Sequence, residues 1–147
     1  MGIEQFIKSI GNNNLHKVKQ VIQNSKYMIE ESFEGHTPLW FAVKYKNIEI
    51  VKTLLYAGAN VNAKSKPWGD YPGGSTALMV ASYIGNMETI IVLLNAGADV
   101  NATEISGTTA LRYAYLSDNR DVMELLKNHG AIDPQVDALL NVGVYIK

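Results

Sequence analysis

The groups in this sequence that could do chemistry are its histidines, serines and carboxylates, and their spacing argues against every common use of them. A helical metal site needs two ligands three or four positions apart, so that both face the ion. His16, His36 and His129 fall in different segments, and none has a second ligand at that spacing on its own helix. No serine recurs beside a histidine as nucleophile and base. Glu30-Glu31 is a neighbouring pair in a loop-like stretch instead of two acids across a cleft. Pro72-Gly73-Gly74-Ser75-Thr76 has the glycines of a phosphate cradle but lacks the lysine of a Walker loop, and turn geometry accounts for it. The chain has no cysteine, which removes thiol nucleophiles, thiolate metal sites and disulfides together. The expectation is therefore no catalysis, no cofactor and no metal.

Composition narrows the classes further. The 147 residues carry 13 Lys+Arg against 14 Asp+Glu and are 47% hydrophobic, the balance of a folded domain and not of a polybasic nucleic-acid binder. No apolar run has the length of a membrane span, and the opening Met1-Gly2-Ile3-Glu4-Gln5-Phe6 lacks the basic-then-apolar order of a secretory signal. A cytoplasmic protein, without membrane or nucleic-acid partners and monomeric when free, is the expectation. Gly2 and the sequon Asn101-Ala102-Thr103 are chance matches to lipidation and glycosylation signals.

What the sequence does contain is repetition. Gly35-His36-Thr37-Pro38-Leu39 aligns with Gly74-Ser75-Thr76-Ala77-Leu78 and Gly107-Thr108-Thr109-Ala110-Leu111, at spacings of 39 and 33. Gly58, Gly97 and Gly130 keep the same two spacings, as do Asn47, Asn86 and Asn119. Each unit reads as two short helices. Thr37, Thr76 and Thr109 suit the N-cap of the first, with Pro38 at its first position. Asn47, Asn86 and Asn119 suit the N-cap of the second, followed by an acid, Glu49, Glu88 or Asp121, where the helix dipole favours one. Leucines and isoleucines at helical spacing follow, and the glycine stops the helix. A unit with one apolar side cannot bury it alone, so neighbours must stack.

These residues resemble the ankyrin repeat, whose signature is a 33-residue period with T-P-L-H-x-A. Thr37-Pro38-Leu39-Trp40-Phe41-Ala42, Thr76-Ala77-Leu78-Met79-Val80-Ala81 and Thr109-Ala110-Leu111-Arg112-Tyr113-Ala114 carry the motif, with Trp40, Met79 and Arg112 in place of the family's histidine. The resemblance implies an all-α solenoid of helix-turn-helix units joined by short hairpins, three full repeats between two caps. Its divisions are an N-terminal capping repeat over 1–32, with Gly11 as a breaker, repeats over 33–63, 64–102 and 103–133, and a C-terminal cap over 134–147. Lys127 replaces Leu55 and Leu94, which predicts that the last face lies nearer solvent.

The middle repeat is six residues longer than its neighbour, between Ala63 and Gly74. Within this insert Lys66, Trp68, Asp70 and Tyr71 form the leading contact patch, since aromatic groups on an irregular loop are of the kind enriched at interfaces. The alternative is that Trp68 folds back over the neighbouring repeat. The family resemblance adds a concave face of hairpin tips and first helices, mapped here to Phe33, Glu34, His36, Trp40, Lys44, Tyr45, Met79, Tyr83, Ile84, Ile105, Arg112 and Leu116, with Ser75, Ser106, Thr108 and Ser117 among them. This set is aromatic and lightly charged, which suits a protein surface. Tyr83, Ile84 and Leu116 could equally pack between repeats.

Residues 1–66 hold nine Lys+Arg and five Asp+Glu, while 67–147 hold four and nine, so the charge runs from +4 to −5 along the chain. Such a gradient steers encounter more than it strengthens binding. The function expected is a non-catalytic module that blocks or scaffolds a folded protein. An immunity-type inhibitor of a toxic enzyme is one specific form if the source is microbial. A small-ligand protein or enzyme with its site in the insert, and a structural oligomer subunit packing through Val142, Val144, Tyr145 and Ile146, are the competing classes.

Overall fold

The computed structural model describes residues 1–69 and 73–143. Among them the chain makes four helix-turn-helix pairs and a closing helix: α1 (Ile3–Gly11) with α2 (Leu15–Asn24), α3 (Pro38–Lys44) with α4 (Ile48–Tyr56), α5 (Ala77–Ile84) with α6 (Met87–Asn95), α7 (Ala110–Leu116) with α8 (Arg120–Asn128), then α9 (Pro134–Asn141). A single 3-10 turn, Lys26–Ile29, leads out of the first pair.

The helix starts follow from side-chain capping. Thr37, Thr76 and Thr109 accept hydrogen bonds from the backbone N–H groups of Trp40, Met79 and Arg112. Asn14, Asn86 and Asn119 do the same for Lys17, Thr89 and Val122 at the second helices. Asn47 departs from this pattern. Its side-chain amide donates instead to the Ile10 carbonyl, stitching the second pair to the first. Gly58, Gly97 and Gly130 end their helices in the left-handed region, at φ of 99°, 90° and 86°.

Gly11 is the last residue of α1, and the left-handed turn into the next helix is taken by Asn13, with φ 53°. Lys46, Gly85 and Asp118 hold the equivalent place, with φ of 60°, 80° and 50°, so every first helix ends through a left-handed residue just before the asparagine of the next helix.

The core repeats with the sequence. Leu39, Leu78 and Leu111 are buried, as are Leu54, Leu93 and Leu126, and Ala42, Ala81 and Ala114 give the close approach between helices that a larger side chain would block. Each fully buried leucine contributes roughly 2 kcal/mol by removal from water. Phe6, Ile10 and Val18 extend this core into the first pair, and Val136 closes it at α9.

Two rows result, α1, α3, α5 and α7 in one and α2, α4, α6 and α8 in the other. The first helices pack against one another more extensively than the second helices do. Asparagines bridge successive turns on the other flank: Asn62 donates to the Gly97 carbonyl at 3.1 Å and accepts from the Asp99 N–H at 2.7 Å, and Asn101 repeats this with Gly130 and Ile132 at 3.0 and 2.8 Å. Lys127 is exposed on α8, whereas Leu55 and Leu94 are half-buried, which agrees with the more solvated last face.

Candidate functional site

The hairpins between pairs set the site's position. Glu34 and Gly35 both take positive φ, 49° and 79°, in a two-residue turn whose flanks Phe33 and His36 pair through both backbone hydrogen bonds at 2.9 Å. The next hairpin docks on it: the Lys66 N–H donates to the Gly35 carbonyl at 2.7 Å. Within that hairpin the Ser65 N–H donates to the Ser75 carbonyl and the Gly74 N–H to the Ser65 carbonyl, both at 2.8 Å. Gly74, with φ 91°, therefore lies on the hairpin stem with its N–H already used.

This stem delivers Ser75 to the start of α5, where its hydroxyl accepts from the Trp40 indole N–H at 3.3 Å. Trp40 is held on every side. His36 stacks on it with ring centroids 3.7 Å apart and planes 9° from parallel, and Phe41 meets it edge-on at 5.3 Å. The Lys44 ammonium stands 5.1 Å from the centre of the ring. Burial, and then the Lys44 charge, lower the His36 pKa below its usual 6.5, so the ring that stacks on Trp40 is neutral at pH 7.

Beside this cluster runs a groove of about 440 Å³ along α3, α5 and α7, lined by His36, Trp40, Lys44, Ser75, Met79, Val80, Tyr83, Ile84 and Tyr113. Seven of the residues read from sequence as contacts, His36, Trp40, Lys44, Ser75, Met79, Tyr83 and Ile84, meet here. Met79 is its floor, 1% exposed, while Tyr83 stands at the rim, 59% exposed, with its ring edge-on to Tyr113 at 6.1 Å. Phe33, Glu34, Lys44 and Tyr45 line a second, more polar recess of about 500 Å³ against α1, and Lys44 is the wall common to both.

The remaining positions stand apart. Lys66 and Trp68 are exposed on the long hairpin, Trp68 by 57%, and Asp70 and Tyr71 lie outside the described residues. Ile105 and Leu116 are exposed beyond the groove. The Arg112 guanidinium is already engaged by Asp133, at 2.8 Å. Val142 is 73% exposed at the C-terminal end, and Val144, Tyr145 and Ile146 lie outside the described residues.

Tyr113 belongs to the groove and was absent from the sequence-derived set. Its hydroxyl donates to the Glu104 carboxylate at 3.0 Å, which holds the ring over the groove's end. It occupies the repeat position held by Phe41 and Val80 in the other units, one residue after the counted Arg112. The chemistry available in this groove is apolar contact with one cationic end. Among the described residues no cluster of three or more His, Cys, Asp or Glu is placed to hold a metal ion, and no helix is long and apolar enough to cross a membrane.

Comparison with known proteins decides the family. The ankyrin repeat pattern matches residues 34–66, and the pattern for ankyrin repeats in three copies matches 67–138. The chain belongs to the ankyrin-repeat family. Similar proteins include an ankyrin repeat protein of Rickettsia bellii (strain RML369-C), 33% identical over 66 residues, 42% of this chain and 10% of that protein. Another is the ankyrin repeat, SAM and basic leucine zipper domain-containing protein 1 of Carollia perspicillata, 37% identical over 60 residues, 40% of this chain and 12% of that protein. The matched regions are thus about a tenth of each relative's length. Ankyrin repeats are in general non-catalytic modules of protein–protein interaction, and the stacked helix pairs described above are that fold.

Proposed function

We propose that this ankyrin-repeat chain binds a folded protein partner through its first-helix face and acts by occupancy, blocking or scaffolding that partner without chemistry of its own. The observation that carries this reading is the convergence of Trp40, Tyr83, Ile84 and Tyr113 on one groove of the first-helix row. Ring-bearing side chains in such a groove are pre-positioned anchors of the kind that dominate interfaces, because their immobilisation costs little on binding. Trp68, exposed on the long hairpin, is a second contact in this reading. A cytoplasmic location and a monomeric free state belong to this reading, as does the more specific role of an inhibitor of a toxic enzyme.

Photo-cross-linking in the source cell tests it. A photoreactive residue at position 83 is expected to yield a discrete protein adduct that the same residue at position 91, exposed on α6, does not. Identical adducts from both positions would overturn the proposal.

A further inference from the structure

Resting on the reading of the first-helix face as the binding face, we infer that the Trp40–Tyr83 groove takes an extended segment of the partner in which an apolar side chain lies beside an aspartate or glutamate. The cavity, about 440 Å³, is within the range of roughly 300–1,000 Å³ that recognition pockets occupy, enough for a large side chain and its neighbour. Its walls specify the apolar part. Met79 and Ile84 supply aliphatic surface, and Tyr83 and Tyr113 set their rings edge to face along it.

The charges specify the rest, because they differ at the two ends. At the Trp40 end stands the Lys44 ammonium, held over the indole and paired with no carboxylate among the described residues. Of the acids near it across the adjoining recess, Glu4 is engaged by Lys8 at 3.0 Å, and Glu34 is exposed on the hairpin turn. At the opposite end Glu104 accepts from the Tyr113 hydroxyl and puts negative charge there. A carboxylate on the bound segment is therefore attracted to the Trp40 end and repelled from the Tyr113 end, which fixes the direction in which the segment lies. The net charge of +4 over residues 1–66 favours the same orientation at longer range.

The test is selection from a random linear peptide library displayed on phage, with the intact chain as bait, followed by titration of the enriched consensus peptide against purified variants. The expected consensus joins Leu, Ile, Met or Phe to a nearby Asp or Glu. Lys44→Glu should weaken that peptide by about tenfold or more, the equivalent of about 1.4 kcal/mol, and Tyr83→Ala should abolish its binding. Both side chains are exposed, so circular dichroism should show both variants folded as the parent. A basic or wholly apolar consensus, no enrichment, or enrichment indifferent to Tyr83→Ala would each overturn the inference. Failure of the selection alongside a position-specific adduct at 83 removes the segment chemistry alone; failure of both removes the binding face.

Discussion

The Arg112 guanidinium grips the Asp133 carboxylate with two parallel hydrogen bonds, Nη2 to Oδ1 at 2.8 Å and Nε to Oδ2 at 3.1 Å. The same carboxylate accepts from the Thr109 hydroxyl at 2.7 Å and from the backbone N–H groups of Gln135 and Val136 at the start of α9. One buried acid thus joins the cap of α7, the body of α7 and the helix that closes the stack. Asp133→Ala leaves Arg112 half-buried without its partner and uncaps α9, at a cost of about 3 kcal/mol. Urea denaturation should show that loss, with hydrogen exchange at α9 accelerated first.

Acid should weaken the same junction. Burial by itself would raise the Asp133 pKa, but hydrogen bonds from Arg112, Thr109 and the Val136 N–H, with the Arg112 charge, hold it below the usual 3.8. A carboxyl with a depressed folded-state pKa adds stability that is complete above pH 3.8 and is lost as pH falls through the lower folded value. Between those limits the stability of the parent is expected to fall toward that of Asp133→Asn, and a constant difference between the two would contradict this.

Thr89 is fully buried on α6, at the place held by Ile50 and Val122 in the flanking repeats, and its hydroxyl has no hydrogen-bond partner among the described residues. Thr89→Val removes an unsatisfied polar atom at nearly constant volume and should stabilise the chain by about 1 kcal/mol. Thermal unfolding would show it as a higher midpoint; a lower one means the hydroxyl is satisfied in solution.

Two glycines separate backbone strain from crowding. Gly58 and Gly74 both have positive φ, 99° and 91°, yet a Cβ at Gly58 meets nothing within 4 Å while one at Gly74 comes within 2.9 Å of the Ile105 backbone nitrogen. Gly58→Ala should cost about 1 kcal/mol, the left-handed penalty alone, and Gly74→Ala more, since the hairpins must part to admit the methyl. Equal losses in chemical denaturation would mean that hairpin stacking adds nothing.

What the sequence made legible was whatever the period repeats. The caps at Thr37, Thr76 and Thr109 and the stops at Gly58, Gly97 and Gly130 are local backbone requirements, met the same way in each unit. Asn47 kept its residue type but turned its amide to Ile10, because a neighbouring repeat offered an acceptor that no local pattern reveals. Gly11 is the last residue of α1, but the left-handed conformation that turns the chain into α2 is taken two positions later by Asn13, a residue type that tolerates it. In the site, His36, Trp40, Lys44, Met79, Tyr83 and Ile84 were reachable by counting positions along first helices. Arg112 was counted onto the same face, yet its charge is directed to Asp133, a residue 21 positions away whose role depends on how the last helix docks. Tyr113 was hidden for a related reason: whether an aromatic on a first helix fills the core or leans over a groove is decided by its neighbours in three dimensions.

The His36 ring offers a local probe of the groove. Its pKa is lowered by burial and by Lys44, so in the folded chain it should titrate below 6.5 by NMR, and Lys44→Ala should move it part of the way back up. Protonating the ring costs more in the fold than in the unfolded chain, so this group leaves stability unaffected above pH 6.5 and lowers it as pH falls toward the lower folded value. No movement on Lys44→Ala would place the ammonium away from the ring cluster in solution.

The binding surface itself is tested most directly by amide chemical-shift mapping on a labelled chain, with the cross-linked partner purified and added in increasing amounts. The account predicts that the largest changes fall on α3, α5 and α7 around Trp40, Tyr83 and Ile84, with Tyr56 and Ile91 on the second helices unaffected. Changes concentrated on α4 and α6, with Trp40 and Tyr83 silent, would contradict it.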